Sequence, residues 1–200
     1  MANGTLKVSN IETSSGSGTI TIGQSGETIS VPSGATLDVS NATTTLSSSM
    51  KNTPAFFARM TSNQTLTNDT ATKIAFSSEV YDTDGTYDTS TYRFTPGVVG
   101  KYIIAFGYWA DNNDNTKTAN LYIYKNGSVS NLGSLQYITR LNDGTFSRIA
   151  MSVTFQVDVT STSDYFEAYA KIENSSGDAR INGQTSKDNN YFYGYKLIGA

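Results

Sequence analysis

The sequence has neither cysteine nor histidine among its 200 residues, and it has only three prolines. Without cysteine the chain has no disulfide bond and no thiolate nucleophile, and without histidine it lacks the commonest zinc ligand and the usual general base near neutral pH. These absences exclude most hydrolase and metalloenzyme designs. Charged residues make up 16% of the chain, its net charge is −3, and no stretch is strongly basic. Because phosphate binding relies on clustered basic side chains, nucleic acid is not expected as a partner.

No export or membrane signal is expected at the amino terminus. Residues 1–5 are neither basic nor apolar, and the apolar run at residues 102–110 is too short to cross a bilayer. We therefore expect a chain that is made in the cytoplasm of its host cell and does not insert into a membrane. Such a chain can reach the outside of a cell as part of a larger particle.

The most prominent strand signal is residues 102–110, where β-branched and aromatic residues follow the turn signal Pro96-Gly97. Both faces of this strand are apolar, whereas one face of a sandwich strand normally meets water. The strand therefore needs a second cover, which we expect other copies of the chain to supply. The alternative is a loop or terminus of the same chain. The residues predicted to contact other copies are Tyr102, Ile104, Phe106 and Tyr108.

Further alternating segments, separated by turn signals, continue to the end of the chain. They predict strands at residues 119–125, 136–141, 149–157, 165–172 and 191–198. The last of these is bulky on both faces, so Tyr193 and Tyr195 are predicted as further contacts between copies. Asp84-Gly85 and Asn126-Gly127 are hairpin-type turn signals. No segment has a helical period, and about eight to ten strands predict a two-sheet sandwich of Greek-key or jelly-roll type.

Residues 1–48 show a different pattern, in which Ser-Gly pairs precede apolar-polar-apolar triplets. The triplets begin at Ile20, Ile29 and Leu37. A unit of one short strand and one turn cannot bury its apolar pair alone. We predict a fibrous β stem of three chains in which these residues face one another, joined through a linker at residues 49–54 to a compact head at residues 55–200. The alternative for the stem is a flexible Ser/Gly-rich linker.

Five segments of the carboxyl-terminal part match a known family in order and spacing. They are Ala55-Phe56-Phe57-Ala58, residues 87–92, the run from Phe94-Thr95-Pro96-Gly97 to Tyr102, Leu121-Tyr122-Ile123-Tyr124-Lys125-Asn126-Gly127, and residues 192–198. Through them, residues 54–200 resemble the globular head of the C1q/tumour-necrosis-factor superfamily. The resemblance implies a ten-stranded jelly roll that assembles as a homotrimer, with the central and terminal strands near the threefold axis. The chain departs from the family where a Gly-Asp pair reads Ser163-Asp164, and its stem has no collagen repeat.

The opening segment, residues 4–13, is followed by Ser/Gly/Thr repeats and is similar to the amino-terminal segments of bacteriophage fibre and appendage proteins. This resemblance implies a virion-surface protein attached to other virion proteins through residues 1–12, with Leu6, Val8 and Ile11 in contact. The head would then bind a glycan or protein of the host surface. The alternatives are a capsid decoration protein or head fibre, a polysaccharide-degrading tailspike, and a free bacterial adhesin.

Two polar loops are the candidate sites of the head. Asp82, Asp84, Asn112 and Asn113 are predicted to face the receptor. The first two belong to an acidic cluster with Glu79 and Asp88 that would supply the paired carboxylates of a tailspike, although Asp-Gly and Asp-Thr steps are also ordinary loop chemistry. Asp111 and Asp114 are candidate calcium ligands, but their loop lacks the glycine and closing glutamate of an EF-hand, and a solvated loop is the alternative. No catalytic residue or cofactor is predicted.

Overall fold

The computed structural model describes residues 9–14, 16, 18–47, 50–111, 116–129, 148–183 and 189–199. The chain divides into two compact units, Met1–Thr45 and Leu46–Ala200. We call the first the stem and the second the head. Among the described residues, no helix has the length and apolar character needed to span a membrane.

The described part of the head consists of thirteen strands and their connections. They are β1 Ala55–Arg59, β2 Gln64–Leu66, β3 Thr72–Lys73, β4 Ser78–Asp82, β5 Tyr87–Asp88, β6 Arg93–Phe94, β7 Gly100–Asp111, β8 Thr116–Lys125, β9 Ser128–Val129, β10 Arg148–Val159, β11 Phe166–Asn174, β12 Ala179–Ile181 and β13 Tyr191–Lys196. The predicted long strands are confirmed, except for residues 136–141, which lie outside the described residues. The described part of the head has more strands than the eight to ten predicted, because four strands of only two residues are counted separately: β3, β5, β6 and β9.

The strands form two antiparallel sheets. Sheet A has the order β2-β12-β7-β13-β1-β4, with β10 on the other edge of β7, and sheet B has the order β5-β6-β11-β8-β9, with β3 beside β11. The chain passes repeatedly from one sheet to the other, as between β4 and β5, β6 and β7, and β7 and β8. The first and last strands, β1 and β13, lie side by side. This order is that of a jelly-roll β-sandwich, as predicted.

Aromatic rings from both sheets meet in the core. Phe56 of sheet A stacks on Tyr87 of sheet B at 4.7 Å between centroids and lies 4.4 Å from Phe94. Phe192 packs edge-on against Phe56 at 4.9 Å, and Phe106 packs edge-on against Phe192 at 6.4 Å. Because these rings are buried, the two sheets form one continuous apolar interior.

The strand β10 shows the alternation that its sequence predicts. Val153, Phe155 and Val157 are buried in the core, while Thr154 and Gln156 between them are exposed. A strand with one apolar and one polar face covers the core on one side and meets water on the other. The prediction of one wet face for this strand is confirmed.

Of the two predicted hairpin turns, one is confirmed and one is wrong. Asn126 and Gly127 have φ angles of 54° and 77° and connect β8 to β9 in a two-residue hairpin. Asp84 and Gly85 instead connect β4 of sheet A to β5 of sheet B. The same local turn signal therefore serves a crossing between sheets, because distant strands decide which partners the flanking segments pair with.

Asp164 holds the hairpin to the turn that precedes β11. Its carboxylate accepts hydrogen bonds from the Asn126 side chain at 2.9 Å and from the backbone N–H groups of Thr160 and Ser161 at 2.8 and 3.1 Å, and it pairs with Lys125 at 2.8 Å. Burial opposes ionisation, but these four donors outweigh it and lower the pKa of Asp164 well below its ordinary value. The residue is a structural cap that ties two connections together.

The described part of the stem forms turns and contains no strand. The N–H of Glu27 donates to the carbonyl of Gln24 at 3.1 Å, and the N–H of Ala35 donates to that of Pro32 at 3.0 Å. The third residues of these turns, Gly26 and Gly34, have φ angles of 88° and 84°, as type II turns require. The repeated Ser-Gly pairs at these two places are turns, as predicted. The apolar triplets beside them pair with no strand among the residues that the structure describes.

Candidate assembly surfaces

The outward side of sheet A carries a group of aromatic rings. Strand pairing places Phe57 of β1 opposite Tyr193 of β13 and opposite Tyr81 of β4. Their neighbours Phe56 and Phe192 are fully buried in the core, so by alternation these rings point away from it. We call the group formed by Phe57, Tyr81, Tyr191 and Tyr193 the aromatic face.

Phe57 lies at the centre of the aromatic face. Its ring centroid is 6.2 Å from that of Tyr81, 6.4 Å from that of Tyr191 and 6.1 Å from that of Tyr193. Pairs at such distances contribute about 0.5–1.5 kcal/mol each beyond their buried area. Tyr81 remains 48% exposed. Tyr193 is half-buried, and this burial, with smaller contributions from the neighbouring tyrosines, raises its pKa.

Small residues of β7 lie beside the tyrosines of this face. Tyr193 pairs with Ala105, and Tyr191 pairs with Gly107. A Cβ atom at Gly107 would lie 3.0 Å from Cζ of Tyr191, which is closer than ordinary packing allows. The absence of a side chain at Gly107 therefore lets the Tyr191 ring lie over β7. The outward side of β7 is covered in part by the chain's own last strand.

The aromatic face has a polar boundary on the side of β10, where Ser152, Thr154 and Gln156 are exposed. On the opposite edge, Val80 is 51% exposed beside Tyr81. An apolar patch bounded by polar residues is typical of a protein–protein contact site. The arrangement can bury aromatic and aliphatic surface against another chain, and it has no catalytic group at its centre.

The stem presents a second apolar surface. The aliphatic pairs of its repeat are between 42% and 71% exposed: Ile20, Ile22, Ile29, Val31, Leu37 and Val39. Members of a pair are two residues apart, so in an extended segment they lie on one face. Burying each such side chain would contribute about 1.5–3 kcal/mol, but the stem has no core of its own in which to do so. Within the described residues of the stem, these side chains therefore form an uncovered apolar surface.

Four of the residues predicted to contact other copies lie in the core of the single chain. Tyr102, Ile104, Phe106 and Tyr108 are at most 1% exposed and face sheet B. The prediction is wrong for these four because the second sheet of the same chain supplies their cover. The outward face of β7 is formed instead by the alternate residues, which include Ile103 and Trp109.

The other predicted contacts remain predictions, and their positions are compatible with that role. Tyr193 and Tyr195 are half-buried on the outward side of sheet A. Ile20, Ile29 and Leu37 are exposed in the stem. Ile11, predicted for virion attachment, is 57% exposed. Its two predicted companions in attachment, Leu6 and Val8, lie outside the described residues.

Asp82 organises its own loop. Its carboxylate accepts hydrogen bonds from the N–H of Tyr87 at 2.7 Å, the hydroxyl of Thr86 at 3.1 Å and the N–H of Asp84 at 3.2 Å. Asp84 is exposed, accepts a hydrogen bond from Thr83 at 2.7 Å and lines a cleft of about 390 Å³. Asp82 therefore has an evident structural role, and Asp84 is the member of the pair that a ligand can reach.

One member of the acidic cluster, Asp88, is engaged by its own loop. Asp88 accepts hydrogen bonds from the hydroxyls of Ser90 and Thr91 at 2.6 and 2.8 Å, and these bonds lower its pKa to about 2. A general acid needs a raised pKa, so Asp88 has the opposite property. Within the described ranges, no three acidic side chains come close enough together to hold a metal ion. Asn112, Asn113 and Asp114 lie outside the described residues, and Asp111 is described only as the last residue of β7.

Sequence reasoning missed three members of the aromatic face: Phe57, Tyr81 and Tyr191. A signal for two of them was present in the sequence. The runs Phe56-Phe57 and Tyr191-Phe192-Tyr193 place aromatic residues on both faces of two strands, and these strands pair with each other. Tyr81 could not be found in this way. It joins the group only because β4 pairs with β1.

No protein-family model matches the sequence, and no curated protein matches it. Among solved structures, the chain is similar to the globular domain of zebrafish complement 1qA protein, with 14% identity and a TM-score of 0.48, covering 72% of this chain and 97% of that one. It is also similar to the Eiger TNF of S. frugiperda, with 12% identity and a TM-score of 0.47, covering 73% of this chain and 93% of that one. These superpositions are loose, so the jelly-roll assignment rests on the strand order of the chain itself.

Proposed function

We propose that the chain is a non-enzymatic structural protein of a bacteriophage particle, a homotrimeric tail fibre or appendage whose head contacts the host surface. The stem is the part nearer the particle, with residues 1–12 bound to other virion proteins. The head is held outward, where several weak contacts made by one rigid trimer add up to strong binding.

The observation that carries the proposal is the exposure of the stem's aliphatic pairs. Ile29 and Leu37 are 63% and 71% exposed, in a repeat that places such residues at regular intervals. A flexible linker has no reason to keep this pattern, whereas three copies wound together would bury it. The resemblance of residues 4–13 to phage fibre proteins supports a virion surface as the place of this oligomer.

The aromatic face gives the head its own contribution to assembly. Phe57 and Tyr193 present apolar rings on the outward side of sheet A, and Tyr81 extends the patch to 48% exposure at its edge. The resemblance of residues 54–200 to C1q-like heads, whose members assemble as trimers, supplies the number of copies. A role in degrading polysaccharide is not favoured, because Asp82 and Asp88 are engaged in hydrogen bonds of their own loops.

The oligomer is tested by light scattering on the purified full chain at micromolar concentration. We expect a particle of three times the chain mass of 21.5 kDa. A stable monomer at this concentration would contradict the proposal. Gold-labelled antibodies on purified virions then locate the protein: label on the tail supports a fibre, label on the capsid supports a decoration protein or head fibre, and virions without label point to a free adhesin.

A further inference from the structure

The hairpin between β8 and β9 contains a chemically labile step. Asn126 is followed by Gly127, and both residues are exposed. Asparagine is a thermolabile residue, and a glycine after it has no side chain to shield its backbone nitrogen. This nitrogen can attack Cγ of the asparagine and close a succinimide ring. The side-chain amide nitrogen then leaves as ammonia with the proton of the glycine nitrogen, and water opens the ring to aspartate or isoaspartate.

The geometry of the hairpin favours both residues of this step. Asn126 and Gly127 have positive φ angles, and a two-residue hairpin prefers Asn-Gly for that reason. A Cβ atom at Gly127 would also lie 3.2 Å from the hydroxyl oxygen of Tyr165, which is tighter than ordinary packing. The fold therefore has a labile step at an exposed position where a different second residue would be strained.

Three hydrogen bonds hold Asn126 toward the residues that precede β11. Its Nδ2 donates to Oδ1 of Asp164 at 2.9 Å, its Oδ1 accepts from the N–H of Tyr165 at 3.0 Å, and its own N–H donates to the carbonyl of Tyr165 at 3.0 Å. In sheet B, β11 and β9 lie on opposite sides of β8. The amide group is thus held on the β11 side, whereas Gly127 leads the chain toward β9. Attack by the Gly127 nitrogen requires both side-chain bonds to break.

The position of Asp164 is fixed without the help of Asn126. The backbone N–H groups of Thr160 and Ser161 and the Nζ atom of Lys125 all contact its Oδ2 atom, at 2.8, 3.1 and 2.8 Å. The Oδ1 atom is therefore available to Asn126. A hydrogen bond to an ionised carboxylate is stronger than one between neutral groups, and an acceptor that is already held in place loses little freedom when the bond forms.

Deamidation would disrupt this arrangement. An aspartate at position 126 would place a second carboxylate 2.9 Å from Oδ1 of Asp164, where the amide of Asn126 now donates, and like charges at this distance repel. An isoaspartate would add a carbon atom to the backbone of the two-residue turn and disturb the pairing of Tyr124 with Val129. Both products would loosen the connection between the hairpin and β11.

We infer that Asp164 protects Asn126 from deamidation by holding its side-chain amide away from the nitrogen of Gly127. Asp164 is a positioning residue here, because the reacting atoms belong to Asn126 and Gly127. The protection comes from hydrogen bonds and not from burial, since the hairpin is exposed to water. The inference goes beyond the proposed function and holds for a trimer or a monomer, because all of these contacts lie within one chain.

The test follows deamidation of Asn126 in the full-length protein by peptide mass spectrometry. The protein is incubated in mildly alkaline buffer, either folded or unfolded in guanidinium chloride. We expect the folded chain to react roughly a hundredfold more slowly, because two hydrogen bonds, one of them to a charged acceptor, must break first. In the folded state, Asp164→Ala should increase the rate roughly tenfold. In guanidinium chloride the variant and the natural chain should react equally fast.

Two controls separate local protection from a general loss of stability. Ser161→Ala alters the same turn but retains the backbone N–H that donates to Asp164 and both bonds of the Asn126 amide, so the rate should not change. Ile172→Val removes a fully buried methylene group of β11 and lowers the stability of the whole head without contacting the hairpin. The rate at Asn126 should not change in this variant either.

The inference is overturned if Asn126 reacts as fast in the folded chain as in the unfolded one. It is also overturned if Asp164→Ala folds but leaves the rate unchanged, or if Ile172→Val increases the rate as much as Asp164→Ala. Thermal unfolding verifies that each variant is folded. If Asp164→Ala does not fold, Asp164→Asn takes its place, because its neutral amide keeps the shape of the side chain and accepts a weaker hydrogen bond.

Discussion

In the head, Phe106 and Phe192 are fully buried by the chain's own two sheets, whereas in the stem Ile29 and Leu37 are 63% and 71% exposed. Both regions have alternating apolar residues and Gly-containing turns. They differ in whether the alternating segments find partners within one chain. In the head, each long strand pairs with another strand of the same chain. Among the described residues the stem triplets pair with no strand, and under the proposed function this difference means that the head folds as one copy while the stem requires several.

Removal of residues 1–45 is expected to have the largest effect on assembly. Burial of the six aliphatic residues of the repeat between copies would contribute on the order of 10 kcal/mol per chain to assembly. The shortened chain should keep its β-sheet circular dichroism and cooperative unfolding but dissociate at concentrations where the full chain is trimeric. Sedimentation velocity measures this.

A matched pair of variants of the full chain sharpens the same test. Replacing Ile29 and Val31 by serine should weaken assembly without changing the unfolding of the head. The control is Thr28→Ser, because Thr28 lies between the turn and the triplet. This variant should change neither the assembly nor the unfolding of the head. If the shortened chain assembles as tightly as the full one, other copies do not cover the stem. The stem would then not differ from the head in its need for several copies.

Phe106→Ala is expected to have the next largest effect, on stability. Phe106 is fully buried, so its loss should lower the free energy of unfolding by about 3–5 kcal/mol. Tyr193→Ala on the aromatic face should cost less stability and should weaken association. Urea unfolding and sedimentation, applied to both variants, separate the two effects. If Phe106→Ala weakens association without lowering stability, Phe106 lies at the interface between copies, as the sequence predicted.

Acid sensitivity of the head is expected from Asp164, whose pKa is lowered in the folded chain. The ionised carboxylate of Asp164 stabilises the folded head at pH values above its ordinary pKa. This stabilisation is lost as the pH falls toward the lowered pKa, so the head becomes less stable below about pH 4. Asp164→Asn should destabilise the head by about 1–3 kcal/mol at neutral pH, and the difference from the natural chain should shrink in acid.

Thermal melts at several pH values measure this dependence. Asp158→Asn removes a carboxylate whose side chain is 56% exposed, and it should change stability little. If the two variants behave alike, Asp164 is not the cap that its four hydrogen-bond and ion-pair partners indicate. The stem has no comparable buried carboxylate among its described residues, so its assembly should be less sensitive to this range of pH.

The smallest expected effect is at the stem turns. Gly34 has a φ of 84° and no atom near the position of an added Cβ, so Gly34→Ala changes only backbone strain. Gly34→Ala should lower the stability of the assembled stem by about 1 kcal/mol per copy. Gly34→Asn should lower it less, because asparagine tolerates positive φ. The thermal midpoint of trimer dissociation reports the difference. Equal midpoints for all three chains would indicate that this turn is not retained in the assembly.

Several elements were predictable because their signals are local. The alternation of residues 149–157 predicted β10 and its wet face, and the Asn126-Gly127 step predicted a two-residue hairpin. The Ser-Gly pairs at Gly26 and Gly34 predicted turns. In each case the backbone preference of a few neighbouring residues favours the conformation that the structure has.

The candidate site was less predictable, because it depends on which strands become neighbours. Both faces of residues 102–110 are apolar, and the sequence does not say which face meets sheet B. Tyr81 became part of the aromatic face only through the pairing of β4 with β1. Glu167 forms ion pairs with Lys73 and Arg93 only because β3 and β6 both lie beside β11.

The sequence by itself determined the all-β character of the chain, the positions of its long strands and the separation of a repeat-built stem from a compact head. These follow from periodicity and turn chemistry, which act over a few residues. Only the tertiary structure decided that Phe106 belongs to the core and Phe57 to the surface, and that Asp82 and Asp164 serve as caps. The reason is that burial and hydrogen-bond partnership are set by residues far apart in the chain, which meet only when the two sheets close on each other.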